Sequence, residues 1–254
     1  MSYLNKNISI NYLQDFVNQT ISKSNYLPEQ FNEQQKEALE IFKKRIFLEE
    51  IIEETINFNK KLKWEDKYSN INLIKNTEEL IEVFKLRSDV YHEISYDKEC
   101  PDKIKGLNFD LFDKSSAIIY CTTNNQISGT IRFIFDSNNK LPTEEKVNFD
   151  EFRNTYKKIG EISRNIVKTR NQGLNQEFKY LMNGIYNVFI NNDVDIALSG
   201  IRKDHLKLFQ KLGGVNVEKE LSAYGNVNIP FLIISYNPRL ASKFFKKVFL
   251  KENM

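Results

Sequence analysis

One stretch restricts the fold more than any other: Gly160–Asn175, reading Gly-Glu-Ile-Ser-Arg-Asn-Ile-Val-Lys-Thr-Arg-Asn-Gln-Gly-Leu-Asn. It opens as a strand in which Glu161, Ser163, Arg164 and Asn165 are interleaved with Ile162, Ile166 and Val167. A basic, glycine-containing turn, Lys168–Gly173, leads into a helical pattern running from about Leu174 to Asn191. A turn that delivers a strand into a helix start leaves backbone N–H groups free, which suits an anion. Polar side chains along a strand meant for burial need a chemical reason.

The other patterns build a sheet around that unit. Ile71–Ile74 reads as a short strand, followed by a helix whose cap is Asn76 or Thr77 with carboxylates in the first turn. Ala117–Thr122 and Ile127–Asp136 alternate as a hairpin about Asn124-Asn125. Ser137–Lys157 is a polar excursion. Asp195–Ser199 is a further strand, and His205–Leu212 a short helix stopped by Gly213-Gly214. Val215–Tyr224 and Ile229–Tyr236 close the sheet as an antiparallel pair. The order β-α-β-β-β-α-β-α-β-β predicts an α/β fold in layers (α+β), a mixed sheet flanked by helices. Three segments follow: a helical extension over 1–68, with helical patterns at Ile10–Ser22 and about Pro28–Leu62, a domain over 69–237, and a basic amphipathic helix over 238–254.

Composition excludes several classes. The 254 residues carry a net charge of only +3. The tail Arg239–Met254 holds five basic residues against Glu252 and accounts for more than that excess, so the body has no basic stripe for nucleic acid. No apolar run approaches the ~20 residues that span a bilayer, and the first residues lack the order of a signal peptide. Cys100 and Cys121 form no metal spacing and suit a reducing compartment, so the expected location is the cytoplasm. His92 and His205 fall in separate helices, and no Ser/His/Asp or Cys/His set is evident. No metal site is expected.

Four short motifs carry a resemblance. Arg87 precedes Tyr91 in the first helix of the domain; Asp110-Leu-Phe-Asp113 follows a Phe-rich approach; Gly129-Thr-Ile-Arg132 lies on the hairpin; Glu161-Ile-Ser-Arg164 lies on the next strand. In this order, over about Asn70–Tyr236, they resemble the GNAT acyltransferases, in particular the acyl-homoserine-lactone synthases (autoinducer synthases) and N-acyl amino acid synthases. The tryptophan usual after the aromatic residue in that branch is missing; Trp64 lies upstream.

The resemblance implies a GNAT-like, mainly antiparallel sheet and transfer of a fatty acyl group from a coenzyme A or acyl carrier protein thioester to the amine of an amino acid or related metabolite. It implies no tightly bound cofactor; acyl-CoA or acyl-phosphopantetheine is a co-substrate. Glu161 is the candidate general base of a direct attack, with Arg164 beside it. In a flat strand these two face opposite sides, so one site needs a bulge. Arg132 and Arg164 are expected to hold the acceptor's carboxylate or keep Glu161 ionised, with Arg87, Asp110, Asp113 and Ser163 shaping the acceptor pocket. A backbone N–H from Asn165, Ile166 or Val167 would meet the thioester oxygen. Lys168, Arg170 and Gly173 would meet the donor phosphate, in a loop that departs from the GNAT pattern at Asn175. The position of the usual thiolate-protonating tyrosine is Phe209. Phe109, Phe112, Phe133 and Phe135 are candidates for an acyl tunnel, with a core role expected for most of them. The tail, 239–251, presents Leu240, Phe244, Phe245, Val248 and Phe249 opposite its lysines, a pattern for an anionic membrane surface, for an acidic partner or for docking on the domain. Two alternatives remain open: a small-acyl, CoA-dependent acetyltransferase and a GNAT-fold binding module at the membrane.

Overall fold

The computed structural model describes residues 33–65, 69–137, 140–168 and 175–250. The pattern at Ile10–Ser22 lies outside them, as do Arg170 and Gly173. Helix α1 (Glu33–Lys61) is followed by β1 (Ile71–Leu73), α2 (Thr77–Glu93), a 3-10 turn (Leu111–Ser115), β2 (Ser116–Thr123) and β3 (Gln126–Phe135). A second 3-10 turn (Pro142–Glu145) and α3 (Asp150–Thr155) occupy the excursion. Then come β4 (Ile159–Val167), α4 (Gln176–Asn191), β5 (Ile196–Arg202), α5 (Leu206–Leu212), β6 (Val215–Leu221), β7 (Phe231–Tyr236) and α6 (Lys243–Phe249). The chain divides between Glu54 and Thr55 into two units, upstream of the boundary at 68 expected from sequence. Among the described residues no helix is long and apolar enough to cross a membrane.

The sheet has seven strands in the order β1-β2-β3-β4-β5-β7-β6. Every neighbouring pair is antiparallel except β4 with β5. That pair matches only Ile159–Ile162 with Ile196–Ser199, although β4 continues to Val167 and β5 to Arg202. Beyond Ser199 the two strands part, and the sheet has an opening in its middle.

Each face of the sheet has its own core. On one, Ile131, Phe133 and Ile162 meet Leu181, Ile185 and Phe189 of α4 and Phe245 and Phe249 of α6. On the other, Ile134, Ile159 and Leu198 meet Leu141 and Phe149 of the excursion, and Ile166 meets Leu86, Val90 and Tyr91 of α2. Phe133 and Phe135 belong to the α4-side core, the other of the two roles expected of them. The tail docks through its apolar side: Phe245 and Phe249 are fully buried, and only Leu240 and Phe244 stay outward. The face the sequence offers to a membrane is mainly the face that completes the core.

Asn59, in the last turn of α1, closes the outer edge of β2. Its Nδ2 donates to Ser116 O at 2.8 Å and its Oδ1 accepts from Ile118 N at 2.9 Å, both buried. Asn59→Ala leaves two buried backbone groups without partners, so unfolding in urea is expected to show a loss of about 2 kcal/mol.

Candidate active site

The Asp110-x-x-Asp113 spacing builds a reciprocal cap. Asp110 accepts from Phe112 N at 3.0 Å, and Asp113 Oδ2 accepts from Asp110 N at 2.9 Å. The cap turns both carboxylates toward three arginines. Arg87 Nη1 donates to Asp113 Oδ1 at 2.9 Å; Arg132 Nη1 donates to Asp110 Oδ1 at 2.6 Å and to Asp113 Oδ1 at 3.1 Å; Arg164 Nη2 donates to Asp110 Oδ2 at 2.8 Å. Arg132 Nε also donates to Ser163 Oγ at 3.0 Å. Burial opposes charge on Asp110, but the guanidiniums of Arg132 and Arg164 outweigh it and hold that carboxyl well below the usual range. Three guanidiniums against two carboxylates leave one positive charge in excess. Arg164 Nη1 is buried and has no hydrogen-bond partner among the described residues.

Strand β4 brings the two sides of this arrangement together. Glu161 pairs with Ile134 and Ser163 with Arg132, so both lie on the α2 side of the sheet. Arg164 would then face α4. Instead the register slips: Thr130 pairs with Ile166 and Arg132 with Ser163, so Arg164 and Asn165 stand opposite the single residue Ile131. Arg164 has φ +53°, a left-handed backbone that its side chain disfavours. The bulge turns Arg164 back to the side of Glu161, where its guanidinium lies 5.1 Å from the Tyr91 ring centroid. Downstream, Lys168 N donates to Ser128 O at 2.7 Å. Alternation along the ladder leaves the Val167 amide on the edge that faces the opening.

Glu161 is 3% exposed. Desolvation raises its pKa to about 7 against the opposing pull of Thr143 and Arg132. Its Oε2 accepts a hydrogen bond from Thr143 N at 2.9 Å. The arginines hydrogen-bond Asp110 and Asp113 and not Glu161, so Arg132 favours the ionised form of Glu161 only through its charge, and desolvation outweighs that pull. Thr143 was invisible in the sequence reading, although Leu141-Pro-Thr-Glu144 carries a turn-start signal, with Glu144 Oε1 accepting from Leu141 N at 3.1 Å. Tyr224 was missed as well. It lines the same cleft, its ring 4.4 Å from Lys146 Nζ, and burial keeps its hydroxyl protonated.

The cleft has a volume of about 1250 Å³ and runs through the sheet where β4 and β5 part. Asp110, Arg132, Glu161 and Arg164 line its polar side, and Phe109 and Phe112 also border it. Asn165, Ile166 and Val167 lie along its edge. Arg87, Asp113 and Lys168 do not line it: the first two sit behind Arg132 with no exposure, and Lys168 is exposed beyond it. His92 and His205 carry surface pairs with Asp102 and Asp204. Asn175, the departure from the donor-loop pattern, caps α4 by accepting from Phe178 N at 2.8 Å.

The sequence profile of the N-acyl amino acid synthase FeeM matches residues 82–237, the span that contains every residue of this arrangement. The chain belongs to the FeeM N-acyl amino acid synthase family. It is thus an N-acyltransferase with a GNAT-like fold. The structure of FeeM from uncultured soil microbes superimposes with TM-score 0.50 and 18% identity, over 66% of this chain and 90% of FeeM. The CoA-dependent acyl-homoserine lactone synthase BjaI gives TM-score 0.54 and 15% identity over 71% of this chain and 87% of its own. MesI, also a CoA-dependent acyl-homoserine lactone synthase, gives 0.53 and 13% over 72% and 97%. At these identities the likeness is one of fold. No curated protein sequence matches the chain. In this FeeM-family chain, α1, β1 and the first turn of α2 precede the matched span, and α6 follows it.

Proposed function

We propose that the chain moves a fatty acyl group from a thioester, carried by coenzyme A or by the phosphopantetheine arm of an acyl carrier protein, to the amine of an amino acid or a close relative. The observation that carries this reading is the bulge in β4, which sets Glu161, the free Nη1 of Arg164 and the Val167 amide around one opening. Glu161, ionised, takes a proton from the acceptor's ammonium or from a water beside it, so that a neutral amine attacks the thioester carbonyl. The Val167 amide, with Asn165 and Ile166 beside it, stabilises the oxyanion. The C–S bond then breaks, and the thiolate takes a proton from the nitrogen that has become an amide. Phe209 has none to give.

Arg164, steadied by Asp110, binds the acceptor's carboxylate through its free Nη1. Arg87, Asp113, Arg132 and Ser163 hold that pocket in shape. Lys168, with Arg170 and Gly173, meets the donor phosphate. Two structural relatives support both halves of the reading: FeeM is an N-acyl amino acid synthase, and BjaI is a CoA-dependent acyl-homoserine lactone synthase.

The test is mass spectrometry of lipids from cells producing the wild type or Glu161→Gln. New acylated amines that carry a carboxylate are expected with the wild type alone. Identical lipid profiles would sink the proposal, and acetylated products alone would replace it with small-acyl transfer.

A further inference from the structure

The cleft continues past the polar residues onto the α4 side of the sheet, where Ile162, Phe178, Met182, Phe209 and Tyr236 line it. This end is apolar, and three phenylalanines converge on it from separate elements. Phe178 of α4 meets Phe209 of α5 edge-on, with ring centroids 6.2 Å apart and planes at 82°. It meets Phe249 of α6 in the same manner, at 6.2 Å and 80°.

Phe249 is itself held firmly. It stacks on Phe245 at 4.7 Å, is fully buried, and its carbonyl accepts from Asn183 Nδ2 of α4 at 2.6 Å. Phe245 in turn packs against Tyr186 at 6.0 Å. Phe178 is thus backed by rings of both α5 and α6. Helix α6 follows the span matched by the family profile, which ends at residue 237.

We infer that Phe178, buttressed by Phe209 and by Phe249 of the C-terminal helix, is the stop that sets how long an acyl chain the enzyme accepts. The inference rests on the proposed acyl transfer, with the acyl chain entering the apolar end of the cleft. A ring in this position ends the pocket for longer chains and leaves shorter ones in full contact. Trimming the ring, or the ring behind it, frees volume at the far end. Each methylene newly admitted then gains about fourfold in affinity.

The experiment uses the full chain and the variants Phe178→Leu and Phe249→Leu, with Leu240→Ala on the exposed side of the tail as control. Leucine keeps most of the packing, and circular dichroism with thermal melting reports whether α6 remains seated. Binding of octanoyl-CoA and tetradecanoyl-CoA is measured by calorimetry, and acyl transfer from both is measured in parallel. The expected result is a shift in preference toward tetradecanoyl-CoA by tenfold or more in both phenylalanine variants, and none in Leu240→Ala. An unchanged preference in folded variants overturns the stop while leaving acyl transfer intact. Binding that shifts without turnover in the wild type supports the stop and counts against the proposed function. Binding of neither acyl chain by the wild type, whether offered on coenzyme A or on acyl carrier protein, overturns both.

Discussion

Asp113→Ala is expected to cost about 3–5 kcal/mol of stability in urea unfolding, the largest loss for any single residue of the site. Asp113 is fully buried between Arg87 and Arg132, which are 0% and 2% exposed. Removing it strands two guanidiniums in a low-dielectric interior, and Asp110 N loses its acceptor at the same stroke. Against a typical total of about 5–15 kcal/mol, such a loss removes a large share of the stability. The contrast is Asp204→Ala, whose pair with Arg202 is half-exposed on both sides and is expected to matter by less than about 0.5 kcal/mol. Equal effects from the two substitutions would show that the buried cluster is held together by something other than its charges.

Glu161→Gln is expected to lower kcat/KM by about 10²–10⁴, the range for loss of a general base. The wild-type rate should rise with pH through about 7, the pKa to which desolvation lifts this carboxyl, and level off above it, because the charged form is the base. The residual activity of the Gln variant should lack that limb. Stability runs the other way. A carboxyl whose folded pKa exceeds its unfolded value near 4.5 contributes its full stability below about pH 4.5 and loses it as pH rises through about 7. Above pH 7 the buried charge costs on the order of 3 kcal/mol, so the Gln variant should then be the more stable protein. A variant both inactive and unstable would assign Glu161 a structural part instead.

Much of this was legible in local patterns. Asp110 and Asp113 sit at a spacing that caps a turn, and the strand and helix order follows from alternation and periodicity. The need for a bulge could be stated in advance because Glu161 and Arg164 fall on opposite faces of an even strand. Its cause could not, since the slip depends on how β3 and β4 share Ile131. Thr143 stayed hidden because its partner lies 18 residues away, across a segment that reads only as polar. Phe245 and Phe249 were ambiguous for another reason: an amphipathic pattern shows that a face is covered and does not say by what.

The parallel seam between β4 and β5 has a consequence of its own. Only four residue pairs, Ile159–Ile162 with Ile196–Ser199, join one antiparallel half of the sheet to the other. The same backbone groups that would lengthen this seam are the ones left open at the cleft. Zipping one more pair would strengthen the protein and narrow its entrance in a single move. Catalytic access and the cohesion of the sheet thus compete for one row of amides, and the chain has settled the contest at Ser199.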